Sequence, residues 1–271
     1  MMKNFAVIGD PIAHSLSPVL HQEIYRQLGI DASFEKIHIP PQDLHSFMNN
    51  NGLDGINVTI PHKQSVIPYL DELDESAQTI GAVNCVHNGK GYNTDWIGFS
   101  MAMELNDVEL DGKNCVILGA GGAARAIAFA LIQSNVNTIL IVNRTKEKAE
   151  DLKQWAEKLS DIRVNTLSHK YMNTLSHDHL IINCTPLGMW PNTEVIPEFE
   201  IQKDQVLVDT IYNPLETKWL KAGKGKGVKT ISGFDMFIAQ GLASADIWFG
   251  QKISEKIKLE PIKKGLKSEL C

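Results

Sequence analysis

Between Asn114 and Ser134 a short apolar run, a glycine-rich break and an alanine-rich segment follow one another, and few folds accommodate that succession. Asn114-Cys115-Val116-Ile117-Leu118 reads as a strand. Gly119-Ala120-Gly121-Gly122 interrupts it, and Ala123 to Ser134 is rich in helix formers. A strand at 138–142, a helix at 146–158 and strands near 180–184 and 205–209 continue the alternation. Upstream, strands at 4–9, 33–39 and 55–60 alternate with helices at 18–28, 42–50 and 64–73. A hairpin then spans 82–94, turning at Asn88-Gly89-Lys90-Gly91. Strand–helix alternation of this kind specifies α/β architecture with parallel strands. At ~150 residues per domain, 271 residues suggest about two domains.

Composition narrows the class. Hydrophobic residues are 43% and charged residues 21%, enough to build a core without staples, which argues against a disordered chain or a disulfide mini-protein. The net charge of -6 is a poor footprint for a general nucleic-acid binder. No stretch approaches the ~18 apolar residues of a membrane span, and the apolar run Phe5 to Ile8 is too short for a secretory signal. Cys85, Cys115, Cys184 and Cys271 form no C-x-x-C pair, as expected of free thiols in a reducing cytoplasm. His177-Asp178-His179 reads as a solvated turn rather than a metal site, and the lysine-rich tail from Lys252 to Lys267 as a solvated helical face.

Gly119-x-Gly121-x-x-Ala124, placed between strand and helix, matches the dinucleotide-binding pattern. Gly119 permits the tight turn, Gly121 lets backbone approach a pyrophosphate, and the small Ala124 lets helix and strand pack closely. The helix N-terminus adds unpaired N–H groups and a positive dipole end. The second strand ends at Val142 and is followed by Asn143-Arg144-Thr145, with no carboxylate at the corner. An acidic residue there would hold ribose hydroxyls and repel a 2′-phosphate, whereas a guanidinium binds the phosphate bidentately. Arg144, with Lys148 on the next helical turn, therefore favours NADP over NAD.

Three further clusters lie at strand–helix junctions. In Gly9-Asp10-Pro11-Ile12-Ala13-His14-Ser15-Leu16-Ser17-Pro18, Ser17 suits the N-cap and Pro18 the first helical position, which leaves Ser15 unexplained by capping. Two hydroxyls at a helix N-terminus would suit a small carboxylate. Asn57-Val58-Thr59-Ile60-Pro61-His62-Lys63 puts Lys63 just past the carboxyl end of a strand, where open α/β sheets bind ligands, with Asn57, Thr59 and Pro61 expected on one side. Tyr92-Asn93-Thr94-Asp95 precedes a helix, and capping that helix is the simplest role for Asp95.

The patterns GDPIAHSLSP, NVTIPHK, AVNCV, YNTDWIG, GAGGAARA, VNRT, NCTPLGM and GFDMFIAQ, in this order, resemble the shikimate dehydrogenase family over nearly the whole chain. The resemblance implies an N-terminal α/β substrate domain, a Rossmann NADP-binding domain, and C-terminal helices that return to the first domain. The expected boundaries are 1–101 with 239–271, and 102–238. It also implies roles. Ser15 and Ser17 would hold the substrate carboxylate, and Thr59, Asn84, Asp95 and Gln240 the ring hydroxyls, with Tyr212 nearby. Lys63 and Asp95 would form the catalytic pair. Gly119, Ala120, Gly121, Gly122 and Ala123 would bind the pyrophosphate. Asn143, Arg144, Thr145 and Lys148 would meet the 2′-phosphate end, and Thr185, Gly188, Met189 and Gly233 the nicotinamide. The reaction implied is reversible reduction of 3-dehydroshikimate by NADPH, in a cytoplasmic enzyme of chorismate and aromatic amino acid biosynthesis. A homodimer is expected, with no nucleic-acid or membrane partner and no metal. A quinate/shikimate dehydrogenase is the neighbouring alternative. A non-catalytic NADP-binding sensor is the distant one, and it would not need Ser15, Ser17, Lys63 and Asp95 together.

Overall fold

Residues 5–9 of the first strand are all buried, because strands on both sides and helices above and below leave this run no solvent face. The computed structural model describes residues 2–168 and 179–270. His177, Asp178 and Cys271 lie outside the described residues. The chain divides into two compact units, Met1–Gly98 with Ile238–Cys271, and Phe99–Phe237.

The first unit is built on a six-stranded sheet. Its strands are β1 (Lys3–Gly9), β2 (Ala32–His38), β3 (Gly55–Val58), β4 (Glu72–Leu73), β5 (Cys85–His87) and β6 (Lys90–Tyr92), in the order β2-β1-β3-β5-β6-β4. β1 runs parallel to β2 and β3, and β5 lies antiparallel to both β3 and β6. The helices are α1 (Ser17–Leu28), α2 (Leu44–Asn50), α3 (His62–Ser65) and α4 (Glu75–Ile80), and α5 (Asp95–Leu105) leads out of the unit. Ile8, Ile56, Val58, Val83 and Val86 form the core on one side of this sheet.

The expected helix over 64–73 is not formed. α3 ends at Ser65, a 3-10 turn covers Ile67–Tyr69, and β4 follows. Pro68 explains the break, since proline disfavours helical backbone in the residue before it and donates no N–H. The strand expected over 55–60 stops at Val58, where the chain turns and the His62 N–H reaches the Thr59 carbonyl at 2.8 Å.

In the second unit every strand is parallel. β7 (Asn114–Leu118), β8 (Thr138–Val142), β9 (Arg163–Leu167), β10 (His179–Asn183), β11 (Val206–Asp209) and β12 (Lys229–Ile231) stand in the order β12-β11-β10-β7-β8-β9. This is the doubly wound order of a dinucleotide-binding fold, reversing between β7 and β10. α6 (Gly122–Gln133), α7 (Lys146–Glu157) and α8 (Lys218–Gly225) cover the sheet, and Val116, Ile181, Leu207 and Trp219 fill a core on it.

α9 (Phe234–Phe249) carries the chain back into the first unit, and α10 (Leu259–Glu269) packs on α1. α10 presents the tail lysines on a solvated face, and its opposite face is buried. Lys264 and Lys267 are exposed, but Ile262 and Leu266 are buried one turn apart. Trp248 of α9 is fully buried, stacks on Phe5 at 4.7 Å and donates its indole N–H to the Val86 carbonyl at 3.1 Å. A Cβ at Gly55 would stand 2.4 Å from the Trp248 Nε1, so only glycine lets the helix cross β3 here.

His21 of α1 is buried in the same region. Its ring stacks on Phe34 at 4.3 Å, and its Nε2 lies 3.2 Å from the Asn57 Oδ1. Burial lowers its pKa to about 3, against a partial upward pull from Asn57. Between about pH 3 and 6.5 the unfolded chain therefore binds a proton at this position that the folded chain does not. Stability from this group rises with pH across that window and levels off above it. Thermal melts from pH 4 to 7 should show Tm rising less steeply in His21→Phe than in the parent, and equal slopes would contradict the neutral buried imidazole.

Candidate active site

In the first sheet the chain leaves β1 for β2 on one side and later places β3 on the other. The β1–β3 boundary is thus a switch point, outside whose carboxyl ends ligands settle in open α/β sheets. The two loops at that point are laced together. The Asp10 N–H donates to the Ile60 carbonyl at 3.0 Å, and the Thr59 N–H to the Ile8 carbonyl at 3.0 Å. A Cβ on Gly9 would come within 2.7 Å of the Thr59 Cγ2, so the glycine allows this close approach.

The first loop delivers Ser15 and Ser17. Ser17 does not cap α1, contrary to the capping expectation. Leu16 takes the N-cap position, Ser17 is the first helical residue, and Pro18 is in the first turn. The Ser17 N–H donates to the Ser15 Oγ at 3.3 Å, and the two hydroxyl oxygens lie 3.2 Å apart. Ser15 thus does the job assigned to Ser17 from the pattern, and both hydroxyls meet at a helix N-terminus.

Lys63 lies in α3, its backbone carbonyl accepting from the Val83 N–H at 2.7 Å, next to Asn84. The Lys63 Nζ donates to the Asp95 Oδ2 at 2.6 Å, with side-chain exposures of 20% and 10%. The Asn84 Nδ2 donates to the other oxygen, Oδ1, at 2.9 Å, so both carboxylate oxygens are engaged. The Asp95 carboxylate is turned to Lys63 and Asn84. Asn93 serves the first turn, its Oδ1 accepting from the Asp95 N–H at 3.1 Å. A pair this sheltered costs desolvation, and removing either partner leaves an uncompensated charge. The arrangement holds a three-proton ammonium in place with one proton committed to Asp95, as a group that protonates an oxygen requires.

Asn84 also contacts Gln240 of α9, its Nδ2 standing 3.4 Å from the Gln240 Oε1. Lys63, Asn84, Asp95 and Gln240 therefore form one cluster. The expectation that Asn57, Thr59 and Pro61 share one side dissolves where β3 ends: Asn57 is buried, Thr59 half-buried and Pro61 exposed in the turn. Ser244, a buried polar residue of this region, is absent from the sequence reading, and Asn57 and Thr94, also buried, stand in its clusters without an assigned role. The available signal was spacing: Ser244 lies four residues after Gln240, hence on the same helical face.

In the second unit the glycine loop stands at the β7–β10 switch point. Gly119 has φ of +108°, and a Cβ there would lie 3.1 Å from the Cys184 carbonyl oxygen. Gly121 is the N-cap of α6 and offers no side chain to its N–H groups. A Cβ on Gly121 or Gly122 would meet nothing within 4 Å, so the backbone faces open space as a pyrophosphate cradle does. Ala120 and Ala123 are half-buried beside them, and Ala124 is fully buried against the sheet. At the corner after β8 the Asn143 side chain donates to the Thr145 carbonyl at 2.9 Å, while Arg144, Thr145 and Lys148 are exposed. Glu147 shares that first helical turn and is exposed too.

Beyond β10, Asn183 organises the next loop. Its Oδ1 accepts from the Thr185 N–H and hydroxyl at 3.0 and 2.6 Å, and its Nδ2 donates to the Leu187 carbonyl. Gly188 is buried with φ of +95°, while Met189 is exposed. Behind them Asp209 is fully buried and accepts from Asn183, the Ile211 N–H and Thr217. Burial pushes its pKa up to about 7, against the downward pull of those three donors. A Cβ on Gly233 would stand 2.3 Å from the Thr210 carbonyl oxygen, so no side chain fits there. Tyr212 stacks on Phe237 at 4.2 Å within this unit, whereas the other expected substrate residues all belong to the first. Among the described residues no cluster of His, Cys, Asp or Glu suits a metal ion, and no helix is long and apolar enough to cross a membrane.

The chain is similar to known proteins over both units. A family model described as the shikimate dehydrogenase substrate binding domain matches residues 7–86, and one described as shikimate / quinate 5-dehydrogenase matches residues 100–190. The shikimate dehydrogenase (NADP(+)) of Methanocaldococcus jannaschii is 44% identical over 260 residues, covering 92% of each chain. A crystal structure of a shikimate dehydrogenase in complex with NADP+ aligns with a TM-score of 0.87 at 38% identity, over 100% of this chain and 96% of that one. The shikimate 5-dehydrogenase of Thermus thermophilus, solved with NADP(H) and shikimate, aligns with a TM-score of 0.83 at 30% identity, over 99% of this chain and 100% of the other.

Proposed function

The chain belongs to the shikimate dehydrogenase family, and we propose that it reversibly reduces 3-dehydroshikimate to shikimate with NADPH, in chorismate and aromatic amino acid biosynthesis. It is an NADP-dependent oxidoreductase. The observation that carries the mechanism is the Lys63–Asp95 pair at 2.6 Å, clamped on its second oxygen by Asn84.

Residues 1–101 with 239–271 are assigned to substrate binding, and 102–238 to the cofactor. In the first, the paired hydroxyls of Ser15 and Ser17 take the substrate carboxylate, helped by the N-terminal dipole of α1. Thr59, Asn84, Asp95 and Gln240 take ring hydroxyls, and Tyr212 is assigned to substrate binding by the family resemblance. Bound NADPH supplies the hydride. Lys63 donates a proton to the ketone oxygen, and its charge stabilises the alkoxide that develops there. Asp95 holds the ammonium on target. In the reverse direction Lys63 accepts the proton from the substrate hydroxyl.

For the cofactor, Gly119, Ala120, Gly121, Gly122 and Ala123 take the pyrophosphate. Asn143, Arg144, Thr145 and Lys148 take the 2′-phosphate. Thr185, Gly188, Met189 and Gly233 line the nicotinamide end. A cytoplasmic setting fits the described cysteines, Cys85, Cys115 and Cys184, all of them free. The assembly we expect is a homodimer, which sedimentation would report as a single species at twice the chain mass.

Production of NADPH from shikimate and NADP+, followed by absorbance and repeated with quinate, tests the activity directly. Shikimate is expected to be the strongly preferred substrate. Lys63→Ala should lower kcat by about 10²–10⁴-fold with a small change in KM, and near-normal kcat would remove the proton-transfer role. Arg144→Ala should weaken NADP+ by about 10-fold or more while leaving NAD+ little changed, as loss of a bidentate phosphate contact worth ~1.5–3 kcal/mol requires. Equal losses with both cofactors would place Arg144 outside the 2′-phosphate site.

A further inference from the structure

Behind the Lys63–Asp95 pair runs a chain of buried polar groups that ends at Asn84 and whose other side chains have no role in the proposed reaction. It begins at His21, whose Nε2 faces the Asn57 Oδ1 at 3.2 Å. The Asn57 Nδ2 donates to the Ser244 Oγ at 3.0 Å and to the Asn84 carbonyl at 3.3 Å. Ser244 and Thr94 stand 3.2 Å apart, and each donates its hydroxyl proton to the Gln240 carbonyl at 3.0 Å. The Thr94 Oγ1 then accepts from the Asn84 Nδ2 at 2.9 Å, the amide that also holds Asp95.

The proton directions are mutually consistent. With His21 neutral and protonated on Nε2, Asn57 accepts from it and spends both amide protons forward. Both hydroxyls spend their protons on one carbonyl, and each keeps a lone pair for an amide behind or ahead. Asn57, Asn84, Thr94 and Ser244 are at most 5% exposed, so no water competes for these groups. Buried amides and hydroxyls in this position are costly when unpaired and rigid when paired.

Ser244 is the junction of this chain. It touches Asn57 on β3, Thr94 at the head of α5 and the Gln240 carbonyl on its own helix. It thereby ties together three elements that are far apart in the sequence. Filling space would need only a methyl group, and alanine would satisfy the volume. The hydroxyl adds a fixed distance between the backbone that carries Gln240 and the residues that carry Asn84 and Asp95.

We propose that Ser244 is a positioning residue for the substrate site, holding Gln240, Asn84 and Asp95 at the spacing the ring hydroxyls require. It touches no reacting atom and acts through Asn57 and through the Gln240 carbonyl that it shares with Thr94. This inference rests on the dehydrogenase reading and adds to it the element that sets substrate spacing.

The test is Ser244→Ala, compared with the parent enzyme in the shikimate and NADP+ assay. Shikimate KM should rise about 3- to 10-fold, the worth of one buried hydrogen bond, with NADP+ KM unchanged and a smaller fall in kcat. Shikimate Kd from calorimetry, which needs no turnover, should follow the KM. In a Thr94→Val background the same substitution should add less than its full effect to the Kd, because the two hydroxyls act on the same Gln240 carbonyl. Unchanged shikimate KM, parallel rises for both substrates, or full multiplicative losses in the double variant would each overturn the proposal. If Ser244→Ala does not fold, Thr94→Ser and Thr94→Val read the chain from its other end. Thr94→Ser should keep parent-like shikimate affinity and Thr94→Val should lose it, and equal affinities would overturn the role. A parent enzyme without activity or affinity for shikimate would remove the dehydrogenase reading and this one with it. An active parent with an indifferent Ser244→Ala removes this one alone.

Discussion

The amide of Asn84 is the point on which the substrate unit turns. Its backbone carbonyl accepts from the Val58 N–H at 2.9 Å, and its own N–H donates to Tyr92 at 3.0 Å, so it bridges the end of β3 and the hairpin. Its side chain accepts from the Thr94 N–H at 2.6 Å and donates to the Thr94 hydroxyl and to Asp95. The amide has one workable orientation. Flipped, its Nδ2 would face the Thr94 N–H, donor against donor, and its Oδ1 would face the Asp95 carboxylate. Burial removes any water that could relieve either conflict. The hydrogen-bonding sense of one side chain thereby fixes where a carboxylate stands, and the carboxylate fixes the ammonium.

The second unit repeats the device with different partners. Asn183 at the end of β10 orders the following loop and donates to Asp209, as Asn84 does to Asp95. The partners of Asp209 are an amide, a hydroxyl and a backbone N–H, none of them charged, and burial wins over their donation. Asp95 instead has an ammonium at 2.6 Å. An Asn–Asp pair at a strand end is thus a general means of pinning a loop. Whether it also carries chemistry depends on a cation being present.

Much of this is legible in the sequence, and for identifiable reasons. The strand at Asn114–Leu118 and the glycine break are readable because local backbone need and tertiary role coincide there. Lys63 is readable by its place past a strand end, whereas position alone gives Asp95 a capping role and its pairing with Lys63 is only what the family resemblance implies. Pro68 is visible, yet the apolar spacing around it still points to a helix over 64–73 that the fold does not form. Capping propensity favours Ser17 wrongly, because it does not say which of two serines, two residues apart, lies outside the helix. Ser244 escapes notice because a polar residue in an apolar helix looks like a surface position until the partner 187 residues away is known. Such pairings have no local signature; only the fold brings them together.

The net charge of -6 poses a related problem of local against global. Both proposed ligands are anions, and an acidic protein would repel them if its charge acted as a sum. Beyond about 8 Å at physiological ionic strength it does not, because salt screens exposed charges at that distance. What a carboxylate or a phosphate meets is local. At α1 it meets two hydroxyls and a helix N-terminus, and at α6 the bare N–H groups after Gly121. At the β8 corner it meets Arg144 and Lys148. Only the last depends on formal charge, and it is the most exposed of the three. Under the proposed assignment, recognition by backbone dipoles and hydroxyls would not require burying unpaired cations, whose desolvation would cost several kcal/mol each. Lys63, a cation in a sheltered position, is given a carboxylate partner.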